Sequence, residues 1–241
     1  MAKLLNLIQN NQEINQYIKE IKNHLVNSPI SDIVDEKGNQ YIDLVLEGGG
    51  VLGIALVGYT YVLEQSGIRF LILSGTSVGA INALFLAALG TPEKEKSIIM
   101  LEILNTMNIK DFVDGGWLAS NLVDDIKDKD NFWVAMLPKI LGLGLLGKFG
   151  KNSLAINSGD SFEKWVETEL NKRGITTTQA LQTNLINSNL KIRNRIERSQ
   201  DQIRFEQDFQ QNELAIVTAD ISTESKIIFP QMAELYWKEP H

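Results

Sequence analysis

Leu44-Val-Leu-Glu-Gly-Gly-Gly-Val-Leu-Gly53 carries an apolar strand straight into a glycine loop, and Phe70-Leu-Ile-Leu-Ser-Gly-Thr-Ser-Val-Gly79 carries a second strand into Gly75-Thr-Ser-Val-Gly79. Between them, residues 53–65 are apolar nearly all round (Ile54, Leu56, Val57, Tyr61, Val62, Leu63), the pattern of a buried helix, with Gly67 as its stop. Strand, helix and strand over roughly thirty residues make a crossover unit. Its right-handed form brings both strand C-termini to one edge of a parallel sheet, where open α/β sheets hold ligands. The spacing predicts strands over 41–47 and 69–74 and helices over 53–65 and 80–89. Continuous apolar runs of this kind suit parallel strands covered on both faces.

The glycine loop on its own fits several phosphate-binding patterns loosely. A dinucleotide fold needs an acidic residue at the end of the second strand, and that strand ends Leu73-Ser74-Gly75; Glu64 lies inside the intervening helix. A nucleotide P-loop needs Lys and Ser or Thr after its last glycine, where Ile54-Ala55 stand. What remains is a set of unhindered backbone N–H groups at a helix N-terminus, a seat for a negative oxygen. Gly75-Thr76-Ser77-Val78-Gly79 fits the nucleophile elbow, a tight strand-to-helix turn that exposes a serine and tolerates only glycine on its flanks. Oxyanion cradle and exposed serine at one sheet edge are the parts of acyl transfer through a serine.

A serine hydroxyl needs a base. The chain has only two histidines, His24 in the N-terminal segment and His241 as the last residue. The sequence therefore points to a carboxylate acting on Ser77 directly, a weak base that needs close contact, desolvation and a strong oxyanion hole.

With these residues the chain resembles the patatin-like phospholipase family. The resemblance rests on Glu47-Gly-Gly-Gly-Val-Leu-Gly-Ile-Ala-Leu-Val-Gly58, on Gly75-Thr-Ser-Val-Gly-Ala-Ile-Asn-Ala83 and, more loosely, on Phe229-Pro-Gln-Met-Ala-Glu-Leu-Tyr-Trp237. It implies a three-layer α/β/α fold with a central, mainly parallel sheet. It also implies a serine lipid acyl hydrolase of phospholipase A or lysophospholipase type, working through a Ser–Asp dyad and an acyl-enzyme. Ser77 would be the nucleophile, Gly48, Gly49, Gly50 and Gly53 the oxyanion loop, and Gly75 and Gly79 the elbow glycines. Leu52 stands where the family often has a basic residue, which bears on lipid preference. The family's aspartate lies in an Asp-Gly-Gly or Asp-Gly-Ala motif well after the strand near Leu214–Thr218. It is expected beyond His241, with the C-terminal part of the domain missing. Asp114, in Asp114-Gly115-Gly116, and Asp220, just past a strand, are lesser candidates. The alternative is a non-catalytic lipid-binding or regulatory member of the family that lacks the general base.

Composition sets the remaining bounds. At 241 residues the chain can bury one substantial core, read as an accessory helical segment over 1–40 and an α/β domain over 41–241. The formal charge of −7 argues against nucleic acid as partner, and there are no cysteines for disulfide, thiolate or zinc–cysteine chemistry. No cofactor or metal is expected. Asp124, Asp125, Asp128 and Asp130 lack the central glycine and closing glutamate of a calcium loop. No secretory leader or spanning run is evident, so the expected setting is cytoplasmic, with peripheral contact to a membrane or micellar phospholipid substrate. Residues 132–149 are apolar but broken by Pro138 and three glycines, either a core cover or an apolar cap over the site. Residues 190–209 are strongly charged and read as a solvated helix, with headgroup contact as the lesser reading. Asp160 with Glu163, and Thr176 with Gln179, suggest capped helix starts; 214–218 and 226–229 read as two more strands. The oligomeric state is left open.

Overall fold

In the computed structural model, residues 6, 8–49, 53–106, 159–186, 190–192 and 213–237 are described. Strands β1 (Ile33–Val34), β2 (Gln40–Leu46), β3 (Ile68–Thr76), β4 (Lys191–Ile192), β5 (Leu214–Asp220) and β6 (Ser225–Phe229) form one sheet in the order β4-β1-β2-β3-β5-β6. Its centre, β2-β3-β5, is parallel, and the outer pairings are antiparallel. The register decides the site: Leu46 is level with Gly75, and Gly75 with Ile216. The chain therefore leaves β2 and β3 side by side, at Glu47-Gly48 and at Ser77.

Helix α1 (Gln12–Asn27) is capped by Asn11, whose side chain accepts from Ile14 N at 3.0 Å, and buries Ile18 and Leu25. Helix α2 (Gly53–Gln65) and helix α3 (Val78–Ala88) follow β2 and β3. β2, β3 and β5 follow one another across the sheet as parallel neighbours, and crossovers of the usual right-handed sense would put α2 and α3 on one face. They pack on each other, and α3 also packs on β2, β3 and β5. Phe85, Leu86, Ala87, Ala83 and Val57 from these helices, with Leu73 from β3, form the centre of the core. On the other face Asp43 and Val45 are exposed, Val45 at 77%, beside a register shift between Ile42 and Leu44. The continuous apolar run of β2 is thus covered on one side only at this edge, which corrects the expectation of cover on both.

The amphipathic pattern over 93–107 predicts a helix that starts at Glu93, whereas helix α4 (Ser97–Thr106) starts four residues later. The reason is a cap supplied from elsewhere. The buried Glu64 carboxylate accepts from Lys96 N and Ser97 N at 2.9 Å and from the Ser97 hydroxyl, so the backbone turns helical only there. Helix α6 (Thr178–Asn184) is capped by Thr177, which accepts from Ala180 N at 3.1 Å, one residue after the cap expected at Thr176. Lys191–Ile192 forms β4 on the antiparallel edge of β1 and not the start of a helix. Residues 132–149, the acidic stretch 124–130 and the rest of 193–209 lie outside the described residues.

The chain divides into two units, Met1–Asn105 with Leu170–His241, and Thr106–Glu169. The sheet and α1, α2, α3 and α6 belong to the first. In the second, helix α5 (Asp160–Asn171) starts with Asp160 and Glu163 in its first turn, where carboxylates favour the helix dipole. There the Trp165 indole donates to Thr106 Oγ1 at 3.2 Å.

Candidate active site

Ser77 sits between β3 and α3 with φ 53° and ψ −127°, one of two described non-glycine residues at positive φ. A side chain held there stores strain on the order of 1–3 kcal/mol, which persists only where the surroundings enforce it. The enforcement is visible in the flanking glycines. A Cβ at position 75 would lie 2.2 Å from Gly79 O, and a Cβ at position 79 would lie 2.2 Å from Leu46 O and 2.7 Å from Glu47 O. The turn is thus folded onto itself and onto the end of β2, with no room for any other residue.

Ser77 is exposed, and its side chain makes no capping hydrogen bond to α3. Its backbone carbonyl accepts the first helical bonds, from Ala80 N at 2.9 Å and Ile81 N at 3.3 Å. The hydroxyl therefore stands at a helix N-terminus without being consumed by it. Gly48 lies directly against it: a Cβ on Gly48 would be 3.0 Å from Ser77 Cβ and 3.6 Å from Oγ. Gly53, the first residue of α2, leaves 2.1 Å between a would-be Cβ and Val78 Cγ2, so the start of α2 is packed against the start of α3. Of the expected site residues, the structure brings Gly48, Gly53, Gly75, Ser77 and Gly79 together. Gly49 is described and exposed; Gly50, Val51 and Leu52 lie outside the described residues.

An open cleft of about 710 Å³ is lined by Thr76, Ser77, the C-terminal half of β5 and the turn that follows. Asp220 is in its wall, so one lesser candidate for the base shares the cleft with Ser77. Its oxygens are already committed. Oδ1 accepts from Ser222 N at 2.8 Å and Thr223 N at 3.3 Å, and Oδ2 accepts from the Tyr236 hydroxyl at 2.7 Å. The Tyr236 bond, then the Ser222 amide, hold its carboxyl below the usual carboxylate range. A carboxylate so satisfied closes a turn well and takes a proton poorly. Asp114 and His241 lie outside the described residues, and His24 is exposed in the last turn of α1.

A second charged group was not legible as such in the sequence. Glu64 is 1% exposed, and burial raises its carboxyl above the usual range against the pull of its Ser97 and Lys96 bonds. Lys96, 4% exposed, donates from Nζ to Leu86 O at 2.7 Å, and burial lowers its ammonium to about 8. Arg69 donates to Glu64 O at 2.7 Å and pairs with Glu95 at 3.1 Å. This cluster joins the C-terminal ends of α2 and α3, the ends away from Ser77. The only sequence signal for it was a glutamate inside an otherwise apolar helix. Among the described residues no group of three or more metal-ligating side chains occurs, and no helix is long and apolar enough to cross a membrane.

A family model described as patatin-like phospholipase matches residues 44–231. Among curated proteins, the uncharacterized protein YqhO of Bacillus subtilis (strain 168) is 35% identical over 142 residues, which is 59% of this chain and 40% of that protein. No solved structure matches the chain.

Proposed function

This chain belongs to the patatin-like phospholipase family, and we propose that it is a serine acyl hydrolase of glycerolipids with Ser77 as nucleophile. The observation that carries the proposal is the strained, exposed Ser77 held against the Gly48 backbone at the shared N-terminal end of α2 and α3. In the first half-reaction Ser77 Oγ bonds to the ester carbonyl carbon while its proton passes to a carboxylate base. The carbonyl oxygen gathers negative charge opposite the N–H groups of the loop that begins at Gly48, and both helix dipoles favour that charge. Collapse breaks the bond to the glycerol oxygen, which leaves protonated as the alcohol. Water then attacks the acyl-enzyme, releases the fatty acid and restores the hydroxyl. The apolar requirement for the acyl chain is met in part by Val217 and Ile221 in the cleft wall.

A second reading, a lipid-binding member of the family without turnover, is favoured by one observation: both oxygens of Asp220, the aspartate in the cleft wall, are bound within its own turn and to Tyr236. Mixed phospholipid–detergent micelles separate the two. The hydrolase reading predicts fatty-acid release that falls by about a thousandfold or more in Ser77→Ala. Release that is absent, or equal in the variant, supports the second.

A further inference from the structure

We propose that the crevice between α1, the β1–β2 turn and the α2–β3 turn is a binding site for a small phosphorylated polyol or sugar, independent of the acyl site. The crevice, of about 550 Å³, lies where β2 and β3 begin, whereas Ser77 stands where β3 ends. Lys22 of α1 and Lys37 and Asn39 of the turn help to line it, and all three precede the residues matched to the family model. Ser66 and Arg69 form its inner wall, and each has a donor without a partner among the described residues. Ser66 is 3% exposed, and its hydroxyl makes no hydrogen bond. Arg69 is 5% exposed and gives four N–H groups to Glu93 O, Glu64 O, Ile68 O and Glu95 Oε1. A guanidinium has five, so one on Nη2 is left over. Buried donors left unpaired are costly, and a ligand seated in the crevice would offer both an acceptor.

The charges select an anion. Lys22 and Lys37 are exposed at the mouth, and neither has an ion-pair partner among the described residues. The two carboxylates in the wall are engaged. Glu95 holds Arg69 and the Gln65 amide at 3.1 and 2.6 Å, and Glu64 accepts from Lys96 N and Ser97 N. The carbonyls that end α2 are covered too: Val62 and Leu63 accept from Ser66 N, and Glu64 accepts from Gly67 N and Arg69. Two ammoniums, a guanidinium N–H and a hydroxyl are the donor set of a phosphate dianion. The body of the ligand is set by two amides. Asn39 gives its NH₂ to Asp35 and Gln65 gives its NH₂ to Glu95, which leaves both amide oxygens as acceptors, that of Asn39 beside Gly67. Acceptors of this kind call for hydroxyl groups on the ligand, not an apolar tail.

Isothermal titration of the full chain with glycerol 3-phosphate, glucose 6-phosphate, inorganic phosphate, glycerol and glucose tests this. At least one ester should bind, about fivefold or more tighter than inorganic phosphate, and the parent polyols should give no heat. Added salt should weaken the binding severalfold. Lys22→Gln and Lys37→Gln should each weaken it about fivefold, since each removes one charge-assisted contact. Ser66→Ala should weaken it by a similar factor while its urea midpoint without ligand stays at or above that of the parent, because the hydroxyl it removes has no partner to lose. Ser77→Ala should bind like the parent, so failure of the hydrolase reading would leave this site standing. Absence of binding by both esters would overturn the proposal. So would equal binding by the parent and the three crevice variants, or inorganic phosphate bound as tightly as the esters.

Discussion

At the Ser77 end of the α2–α3 pair the chain is strained and open, whereas at the Glu64 end a buried carboxylate and a buried ammonium are held by hydrogen bonds. Ser77 holds a positive φ and an exposed hydroxyl that makes no capping bond to α3. Glu64, at the opposite ends of both helices, accepts from two backbone amides and a hydroxyl while Lys96 fastens α4 to Leu86 O. Reactive geometry costs stability, and here the cost is carried by a frame fixed elsewhere. The two ends differ also in what they enclose: the elbow leaves no side-chain volume at Gly75 and Gly79, and the Glu64 end buries the Glu64 and Lys96 side chains.

Changes that attack this contrast should differ in size and in sign. The largest effect is expected at Gly79. Its Cβ position falls on the Leu46 and Glu47 carbonyls, which are backbone and cannot swing away. Gly79→Ala should therefore cost about 3 kcal/mol or more in urea unfolding, or leave no soluble protein. Gly58→Ala, in α2 with nothing within 4 Å, is the matched control and should gain about 0.5–1 kcal/mol.

The buried end should reveal itself in pH dependence. Burial lowers the Lys96 ammonium to about 8 in the folded chain, from its ordinary value of 10.5 in the unfolded chain. In that interval the unfolded chain binds the extra proton, so stability should rise as pH rises through about 8, and its gain is lost as pH falls back through that value. Between about pH 7 and about pH 9 the gain should be roughly 1 kcal/mol, read as a shift in the urea midpoint. Lys96→Met should flatten that rise. An equal rise in the variant would mean that another group carries it.

An effect of similar size is expected from relieving the strain. Ser77→Gly should stabilise the fold by about 1 kcal/mol, the relief of positive φ less the added freedom of the unfolded chain, while removing the hydroxyl. A destabilised Ser77→Gly chain would mean that the elbow is not strained.

The run from β2 through α3 was readable almost to the residue, because apolar periodicity, paired glycines and the elbow all describe one local unit. What escaped the sequence was made by contacts between distant residues. β1 and β4 are two residues long, too short to show a period. The start of α4 depends on a carboxylate from α2, and no local signal marks a cap that arrives from another helix. The Thr177 cap is one residue from its expected place within a run of three threonines, where sequence alone does not choose. At the site, the serine and its glycines were legible as motif. The fate of Asp220 was not: its neighbours Ser222 and Thr223 suggest a turn, but only the folded chain brings Tyr236 onto its second oxygen.

The central claim is that residue 77 is a reactive hydroxyl beside a seat for negative oxygen, and labelling by a fluorophosphonate probe followed by peptide mapping tests it most directly. A single modified peptide carrying Ser77, absent from Ser77→Ala and lost on heat unfolding, is the predicted result. A folded chain that remains unlabelled, or is labelled on other serines to the same extent as on Ser77, would contradict it.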